Sequence, residues 1–350
     1  MEDSMRAAIY GAGSLGTVLG AYVSKNAAQK GVDLGEGIEL YNRNKAHTAA
    51  LKEKGARITG EVDFIQPVRA FYPDEMEGEF DIILLLTKQL DNANTAQFLK
   101  PHLKADGVLC TMQNGLPEPL LASILGKDRV LGCTIAWGAT MGEPGTSRLT
   151  SSPDALTFGL GAPYPEASGH VEDVKKVLEL MGPVVVEENF LGARWSKLLI
   201  NTTFSGMSAV TGLTFGGVCD NKVARHCAQE IMKECIDVCK ASSIRIEPVQ
   251  GKDIAKLFDF KGPLKKRFAF MLMPIAMKKH RDIRASMLGD LEKGKPCEID
   301  AIVGCVCQEG AKVGVKTPFC DLVCKIVHGF EAGEGKPDAA NLSQFGALLA

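Results

Sequence analysis

Three side chains that can form hydrogen bonds recur every four residues in an otherwise apolar stretch. Lys197, Asn201 and Ser205 lie in the run RWSKLLINTTFSGMSAVTG (194–212). Residues four apart share one face of a helix, so the spacing predicts a polar stripe. An ammonium group beside an amide and a hydroxyl can stabilise an oxygen that gains negative charge, and it can donate a proton to that oxygen. The alternative is a lysine whose ammonium simply reaches solvent.

A glycine-rich loop near the start of the chain could hold phosphate groups. The apolar run RAAIY (6–10) leads into a G-x-G-x-x-G pattern and then into an apolar helix-like segment. The residues of this loop are Gly11, Gly13, Ser14, Leu15 and Gly16. Such glycines allow a tight turn, close approach of a pyrophosphate, and close packing of helix on strand. The sequence therefore predicts a dinucleotide site.

The end of the next predicted strand indicates which dinucleotide binds. IELYNRN (38–44) ends with Asn42 and Arg43, where an NAD site usually carries an aspartate or a glutamate. A carboxylate would repel a 2′-phosphate, whereas arginine can bind one through two parallel hydrogen bonds. We therefore expect NADP(H) rather than NAD(H). The alternative is that Arg43 is only an exposed loop cation.

Two further apolar runs end in polar side chains. FDIILLLTKQ (80–89) ends near Lys88, and GVLCTMQNG (107–115) ends at Asn114. Ligands of open parallel sheets lie at the carboxyl ends of the strands, so both side chains are expected where nicotinamide and its ribose bind. A solvated lysine is the alternative for Lys88.

The strand and helix signals divide the chain in two. Strand-like runs and helices share residues 1–190, whereas helical periodicity dominates residues 191–350. We predict a Rossmann-type α/β domain with a mostly parallel sheet, followed by an all-α domain that faces the substrate across a cleft. Helices are expected at 169–182, 220–244, 262–280 (interrupted at Pro274) and 298–315. The Gly/Pro/Ala-rich C-terminal tail is expected to be partly disordered.

Charge and hydropathy argue against two classes of partner. The 350 residues include 40 Lys and Arg and 42 Asp and Glu, and no basic run stands out, so nucleic acid is not expected. No apolar run approaches the roughly 18 residues that a membrane span requires. The N-terminus lacks the basic and apolar regions of a signal peptide, which favours the cytoplasm.

Eleven cysteines raise the question of metal or redox chemistry. The closest groupings are CVC (305–307), CIDVC (235–239) and CDLVC (320–324), and no CxxC pair occurs. A structural zinc site needs four ligands at characteristic spacings, so no metal is predicted. Thiols buried in a reducing compartment are the simplest interpretation, and a redox role is left open.

Short motifs along most of the chain resemble those of the ketopantoate reductases (2-dehydropantoate 2-reductases). They are GAGSLG (11–16), LLLTKQ (84–89), MQNG (112–115), GCTIAWGATMGEPG (132–145), RWSKLLIN (194–201) and SMLGDLEKGKPCEID (286–300). In that family NADPH reduces the 2-oxo group of ketopantoate to give pantoate, a precursor of coenzyme A. The resemblance implies this activity and a small 2-oxoacid substrate.

The resemblance also implies catalytic roles. Lys197 would be the proton donor, and Lys88 and Asn114 would lie beside cofactor and substrate. Glu298 would contact the nicotinamide ribose and help to place Lys197. From its position alone, Glu298 would be interpreted only as an acid at the start of a helix.

Other implied roles concern the binding pockets. Asn201 and Ser286 would bind substrate, and Ala139 would line the cofactor site; a helix-cap hydroxyl is the alternative for Ser286. Two positions depart from the family pattern. Ser205 replaces a second asparagine, and Ile283 replaces a residue that is often polar. Both departures would change the substrate pocket rather than the hydride chemistry.

Three hypotheses follow for the activity. The first is an NADPH-dependent 2-oxoacid reductase, either ketopantoate reductase or a paralogue with a different substrate. The second is an opine- or hydroxyacid-type dehydrogenase with the same two-domain plan. The third is a catalytically silent NADP-binding sensor. A homodimer through the helical domain is compatible with the sequence, but no interface can be recognised in it.

Overall fold

The computed structural model describes residues 4–249 and 251–349. Residues 1–3 of the predicted first domain and Ala350 of the tail lie outside this range. The chain forms two compact units. The first contains the residues up to Gln113 and Pro117–Phe190, and the second contains Asn114–Leu116 and the residues from Leu191 onward. Within the described ranges, no helix has the length and apolar character needed to cross a membrane.

Among its described residues, the first unit forms two sheets and five α-helices. Its strands are β1 (Ala7–Tyr10), β2 (Glu39–Tyr41), β3 (Ala56–Gly60), β4 (Phe64–Gln66), β5 (Arg69–Phe71), β6 (Phe80–Leu85), β7 (Leu103–Thr111), β8 (Val130–Ile135), β9 (Ala139–Met141), β10 (Thr146–Leu149), β11 (Phe158–Gly161) and β12 (Val184–Val186). Its helices are α1 (Ser14–Asn26), α2 (Lys45–Lys54), α3 (Asn92–Leu99), α4 (Glu118–Leu125) and α5 (Val171–Leu178).

The large sheet has eight strands in the order β12-β11-β8-β7-β6-β1-β2-β5. Strand β1 pairs in parallel with β2 and β6, β6 pairs in parallel with β7, and β7 with β8. All four residues of β1 are buried, as suits a parallel strand covered on both faces. The chain leaves β1 toward β2 on one side and later returns to place β6 on the other. This reversal is where open α/β sheets bind ligands.

The small sheet has four strands in the order β4-β3-β10-β9. The segment 132–149, predicted as strands, is divided between the sheets: β8 joins the large sheet, whereas β9 and β10 join the small one. Helix α1 packs against β9 and β10. The small sheet therefore supports the helix that follows the glycine-rich loop.

The second unit is helical, which together with the mostly parallel sheet confirms the predicted fold class. Its helices are α6 (Phe190–Ile200), α7 (Gly206–Thr211), α8 (Phe215–Asp220), α9 (Lys222–Ala241), α10 (Ile254–Phe258), α11 (Pro263–Ala276), α12 (Ser286–Leu291), α13 (Cys305–Lys312), α14 (Pro318–Glu331) and α15 (Gly346–Leu349). Two π-helical turns interrupt the regular geometry, at Asn201–Ser205 and at Asp300–Gly304.

Several predicted helix boundaries are corrected by local chemistry. The predicted helix 220–244 begins at Lys222, because the Asn221 side chain caps it by accepting from Val223 N and Ala224 N. The predicted helix 262–280 ends at Ala276, two residues beyond Pro274, which removes one backbone donor. The predicted helix 298–315 begins with the second π-helical turn.

The prediction of a partly disordered tail is wrong for the described residues. A 3-10 helix at Ala339–Phe345 leads into α15, and both Leu342 and Phe345 are buried. Phe345 stacks on Phe319 with ring centroids 6.2 Å apart. Two apolar anchors therefore hold a segment whose average composition is typical of disorder.

Candidate active site

The glycine-rich loop lies between β1 and α1, and two of its glycines are required by backbone packing. Gly11 has φ +104°, and a Cβ atom there would lie 2.5 Å from the backbone nitrogen of Thr87. A Cβ atom on Gly16 would lie 2.6 Å from the carbonyl oxygen of Gly11. These contacts bring the ends of β1 and β6 together and hold α1 against its own loop.

Gly13 differs from its neighbours because protein packing does not explain it. Among the described residues, the atom nearest to a Cβ placed on Gly13 is the carbonyl oxygen of Gly11, at 4.0 Å. The space beside Gly13 is therefore open, as expected where a ligand approaches the backbone. A side chain at this position would enter that space without displacing protein atoms.

Helix α1 presents its N-terminus at the same place. It begins at Ser14, and its first turn, all of it described, contains no acidic residue. The unpaired N–H groups of a helix N-terminus carry partial positive charge and bind phosphate. The loop and the helix start therefore fit the pyrophosphate of a dinucleotide.

The loop after β2 connects to the glycine-rich loop through Asn42. Its side-chain nitrogen donates to the carbonyl oxygen of Ala12 at 2.5 Å, and its side-chain oxygen accepts from Asn44 N at 2.8 Å. Arg43 is exposed beside this contact. Burial raises the pKa of Tyr10 at the end of β1, and the nearby charge of Arg43 opposes that shift. The position and charge of Arg43 fit a phosphate group on the adenosine ribose.

His47 is a buried polar residue of this region that the sequence patterns did not identify. Its Nε2 lies 3.0 Å from the hydroxyl of Thr17, and its Nδ1 accepts from Gly145 N at 3.1 Å. Because Gly145 N–H can only donate, the ring proton is on Nε2 and points to Thr17. Thr17 in turn donates to the carbonyl oxygen of Ala12 at 3.1 Å. Burial lowers the pKa of His47, which favours this neutral form.

Gln113 fixes the ends of β6 and β7 and was also not assigned a role from the sequence. Its side-chain nitrogen donates to the carbonyl oxygen of Thr87 and to Asn92, both at 2.8 Å. Asn92 donates back to Gln113 at 3.1 Å. Lys88 is the residue after Thr87, and it is exposed on the loop that follows β6. Asn114, the next residue after Gln113, is half-buried and groups with the second unit.

Ala139 is the first residue of β9 and lies in the small sheet. It is half-buried and pairs with Leu149 of β10. Since α1 packs on this sheet, Ala139 belongs to the same unit as the glycine-rich loop.

In the second unit, the polar stripe extends across the first π-helical turn. Lys197 is half-buried in α6, Asn201 is half-buried at the start of the turn, and Ser205 is buried at its end. π-Helical turns are rare and occur frequently at functional sites. The stripe is therefore placed on an irregular helix rather than on the regular one that the spacing suggested.

The second π-helical turn packs against the first. The hydroxyl of Thr202 donates to the carbonyl oxygen of Ile302 at 2.8 Å, which joins the two turns directly. Glu298 is buried just before the second turn, and its carbonyl oxygen accepts from Ile302 N at 3.0 Å. The fold thus brings the segments that carry Lys197 and Glu298 together, although about a hundred residues separate them in the sequence.

Ser286 is the first residue of α12 and is exposed. The N-cap position belongs to Ala285, so the alternative of a capping hydroxyl at Ser286 is wrong. Helix α12 packs on α7 and on the first π-helical turn, which places Ser286 on a helix next to the stripe. Ile283 precedes this helix and is also exposed.

The cysteines are free thiols, eight of them buried and three half-buried. Across the described ranges, no group of three or more His, Cys, Asp or Glu side chains is arranged to hold a metal ion.

A parallel sheet with a glycine-rich loop after its first strand, and a helical unit with a polar lysine stripe, fit the class of two-domain dinucleotide-dependent oxidoreductases. Two family models match this chain. The model described as "Ketopantoate reductase PanE/ApbA" matches residues 7–163. The model described as "Ketopantoate reductase PanE/ApbA C terminal" matches residues 189–331. The chain belongs to the ketopantoate reductase family, as the motifs predicted. Its assignment as a nicotinamide-dependent oxidoreductase is confirmed at this level.

Curated relatives align over nearly the whole chain. A 2-dehydropantoate 2-reductase of Mesorhizobium japonicum is 27% identical over 355 residues, covering 95% of this chain and 99% of the relative. One of Streptococcus pyogenes is 25% identical over 327 residues, covering 93% and 97%.

Solved structures share the fold at low sequence identity. A ternary complex of D-mandelate dehydrogenase with NADH and anilino(oxo)acetate has a TM-score of 0.78 at 20% identity, covering 94% of this chain and 99% of that one. A ketopantoate reductase from Ralstonia eutropha has a TM-score of 0.76 at 23% identity, with the same coverage. A ketopantoate reductase from Staphylococcus aureus, described as dimeric, has a TM-score of 0.70 at 16% identity and covers 95% and 100%.

Proposed function

We propose that this chain is an NADPH-dependent reductase of 2-oxo acids, with ketopantoate as the first candidate substrate. The observation that carries the proposal is the stripe of Lys197, Asn201 and Ser205, which runs from α6 across a π-helical turn, in a member of this reductase family. Binding a dinucleotide does not require a lysine on a largely buried helix, whereas carbonyl reduction requires a proton donor. The stripe therefore favours catalysis over a silent sensor.

The first unit would hold the cofactor. The open side of Gly13 and the N–H groups that begin α1 would bind the pyrophosphate, and Arg43 would bind the 2′-phosphate. Lys88 would contact the nicotinamide end, and Ala139 would line the cofactor site. Reduced nicotinamide, when bound, supplies the hydride that is added to the 2-oxo carbon.

The second unit would supply the proton and bind the substrate. As the carbonyl oxygen becomes an alkoxide, the Lys197 ammonium would donate a hydrogen bond and then its proton, to be replaced from solvent. Asn201 and Ser205 would orient the substrate, and Ser286 would also bind it. Glu298 would hold Lys197 in place and contact the nicotinamide ribose, with Asn114 beside cofactor and substrate.

A related 2-oxo acid is the second candidate substrate. Ser205, which is buried, is shorter than the asparagine of the family pattern and would change the shape of the substrate pocket. A D-mandelate dehydrogenase with anilino(oxo)acetate shares the fold, so this architecture also accommodates a bulkier 2-oxo acid. These observations favour a substrate with a larger side chain as the alternative.

Turnover of a substrate panel tests the proposal. Purified protein would be assayed for NADPH oxidation with ketopantoate and with aliphatic and aromatic 2-oxo acids, each repeated with NADH. We expect turnover with at least one acid, with NADPH favoured and without any added amine. Dependence on an amine would indicate opine chemistry. Absence of turnover with every acid, while NADPH binds, would contradict the reductase assignment.

We further propose that residues 1–190 serve as the cofactor domain and residues 191–350 as the substrate domain, and that the protein works in the cytoplasm. Free thiols, most of them buried, suit a reducing compartment.

We also propose that the helical unit forms a homodimer through α11. Four apolar side chains spaced along one face of this helix are strongly exposed: Leu264 (85%), Phe268 (53%), Met271 (54%) and Ile275 (67%). We call them the α11 face. Contiguous exposed apolar side chains of this size usually mark an interaction site. A family member that shares the fold is described as dimeric, which favours a second copy as the partner.

Sedimentation would test the dimer. We expect the wild type to be dimeric and the double variant Phe268→Glu/Ile275→Glu to be monomeric, because charge in an apolar interface opposes its desolvation. Leu120→Glu, an exposed leucine on α4, is the matched control and should remain dimeric. A monomeric wild type, or a dimeric double variant, would exclude this interface.

A further inference from the structure

Two buried amide side chains form a reciprocal hydrogen-bonded pair next to the loop that carries Lys88. The side-chain nitrogen of Gln113 donates to the side-chain oxygen of Asn92 at 2.8 Å, and the side-chain nitrogen of Asn92 donates back at 3.1 Å. Each of the two residues is only 4% exposed. We call Gln113 and Asn92 the amide pair. Such a pair is specific to amides, because each partner must donate and accept at the same time.

The amide pair holds the residues on both sides of Lys88. Gln113 also donates to the carbonyl oxygen of Thr87 at 2.8 Å, and Asn92 also donates to the side-chain oxygen of Gln89 at 3.2 Å. Thr87 and Gln89 are the chain neighbours of Lys88 in the loop between β6 and α3. The position of Lys88 is therefore fixed by buried side chains, although it lies in a loop.

Thr111 contributes to the orientation of the Gln113 amide. Its fully buried hydroxyl donates to the side-chain oxygen of Gln113 at 3.0 Å. A flipped amide would turn its oxygen toward the carbonyl oxygen of Thr87, and two acceptors would then face each other. A carboxylate in place of either amide of the pair would meet the same repulsion, because it has nearly the same shape and no N–H donor.

We propose that Gln113 and Asn92 are positioning residues of the reductase, which act through Lys88 by keeping it at the nicotinamide end of the cofactor site. This inference rests on the role proposed above for Lys88. Hydride transfer depends on the placement of the reacting groups to within about 1 Å, so a loosened loop lowers turnover even when the groups that react are intact. The two amides have no step of their own in the reaction.

A double-mutant cycle on turnover tests whether the amide pair acts through Lys88. We expect Asn92→Asp and Gln113→Glu each to lower kcat about 10- to 100-fold with NADPH affinity unchanged. Since Lys88→Met already removes the ammonium that the pair positions, Lys88→Met/Asn92→Asp should turn over as fast as Lys88→Met alone. Gln97→Glu, which adds the same charge at an exposed position of α3, is the matched control and should behave as the wild type. Losses that add in the double variant would overturn the proposal.

Trypsin cleavage of the folded protein after Lys88 tests the hold on the loop without any substrate. Cleavage needs a loop that can open, so Gln113→Glu and Asn92→Asp should speed the cut between residues 88 and 89 about tenfold or more, as measured by mass spectrometry of the fragments. Gln229→Glu makes the same change at a fully buried glutamine of α9, which donates to the carbonyl oxygen of Lys266 at 2.6 Å. This control should leave the cut as slow as in the wild type.

The two measurements separate this proposal from the proposed function. An unchanged rate of cleavage in both amide variants, or an equal acceleration in Gln229→Glu, would overturn the hold on the loop. A wild type without turnover on any 2-oxo acid would contradict the proposed function, and the cleavage rates would still decide whether the amide pair holds Lys88.

Discussion

At the scale of single residues, the buried side chain of His47 links the start of α1 to the loop before β10. It bridges Thr17 of α1 and the backbone of Gly145, and Thr17 holds the carbonyl of Ala12. His47→Ala would leave the buried Gly145 N–H without its acceptor, which costs about 1–3 kcal/mol, and would remove the donor to the Thr17 hydroxyl. We expect weaker NADPH binding and a lower free energy of unfolding, measured by titration and by urea denaturation. His102→Ala, at a more exposed histidine, should change neither.

The same residue predicts a pH dependence of stability. Burial lowers the pKa of His47 in the native protein from its ordinary 6.5. Below that pH the unfolded chain binds a proton that the native chain does not, so the contribution of His47 is complete above pH 6.5 and declines as the pH falls. His47→Gln removes this component. Urea midpoints measured across that range should fall less steeply with acid in His47→Gln than in the wild type, and equal slopes would contradict the account.

The roles of some residues could be predicted from the sequence, and the roles of others could not. The glycines of the loop could be predicted, because their spacing alone indicates a tight turn, a close approach of ligand to backbone, and close packing of helix on strand. In the structure, Gly11 and Gly16 have the expected close backbone contacts. His47 and Gln113 could not be predicted in the same way. Their partners Gly145 and Asn92 lie 98 and 21 residues away, and no local pattern links them.

At the scale of elements, the two π-helical turns could not be predicted from the periodicity of apolar residues. Apolar spacing predicted a regular helix through residues 194–212, and the segments on both sides of Asn201–Ser205 are indeed α-helical. The interruption coincides with the hydrogen bond from Thr202 to Ile302, a residue 100 positions away. Such a tertiary contact leaves no trace in the local pattern, although the polar stripe itself could be recognised.

The C-terminal tail shows that average composition is a poor predictor of order in a short segment. Its glycine, proline and alanine content predicted partial disorder, but Leu342 and Phe345 insert into the helical core. Burying two such side chains contributes roughly 1.5–3 kcal/mol each, enough to order a short segment that is otherwise weakly constrained. Anchoring depends on where the few apolar residues fall rather than on their proportion.

At the scale of the whole molecule, the sequence motifs were enough to identify the family. They were not enough to identify the substrate, because the chain departs from the family pattern at positions expected in the substrate pocket. Motifs from residue 11 to residue 300 predicted the family, and the two family models confirm it. Ser205 and Ile283, where the chain departs from the family pattern, both lie in the second unit, which we propose to bind the substrate.

We propose that the first unit binds NADPH and that Lys197 in the second unit donates the proton that its use requires. The most direct measurement compares Lys197→Met with the wild type for NADPH affinity and for turnover of the best substrate, with Lys222→Ala, an exposed lysine of the same unit, as control. We predict unchanged NADPH affinity and a turnover reduced by about 10²–10⁴-fold in Lys197→Met, the usual contribution of a general acid, and no change in Lys222→Ala. Turnover of Lys197→Met equal to that of the wild type would contradict the account.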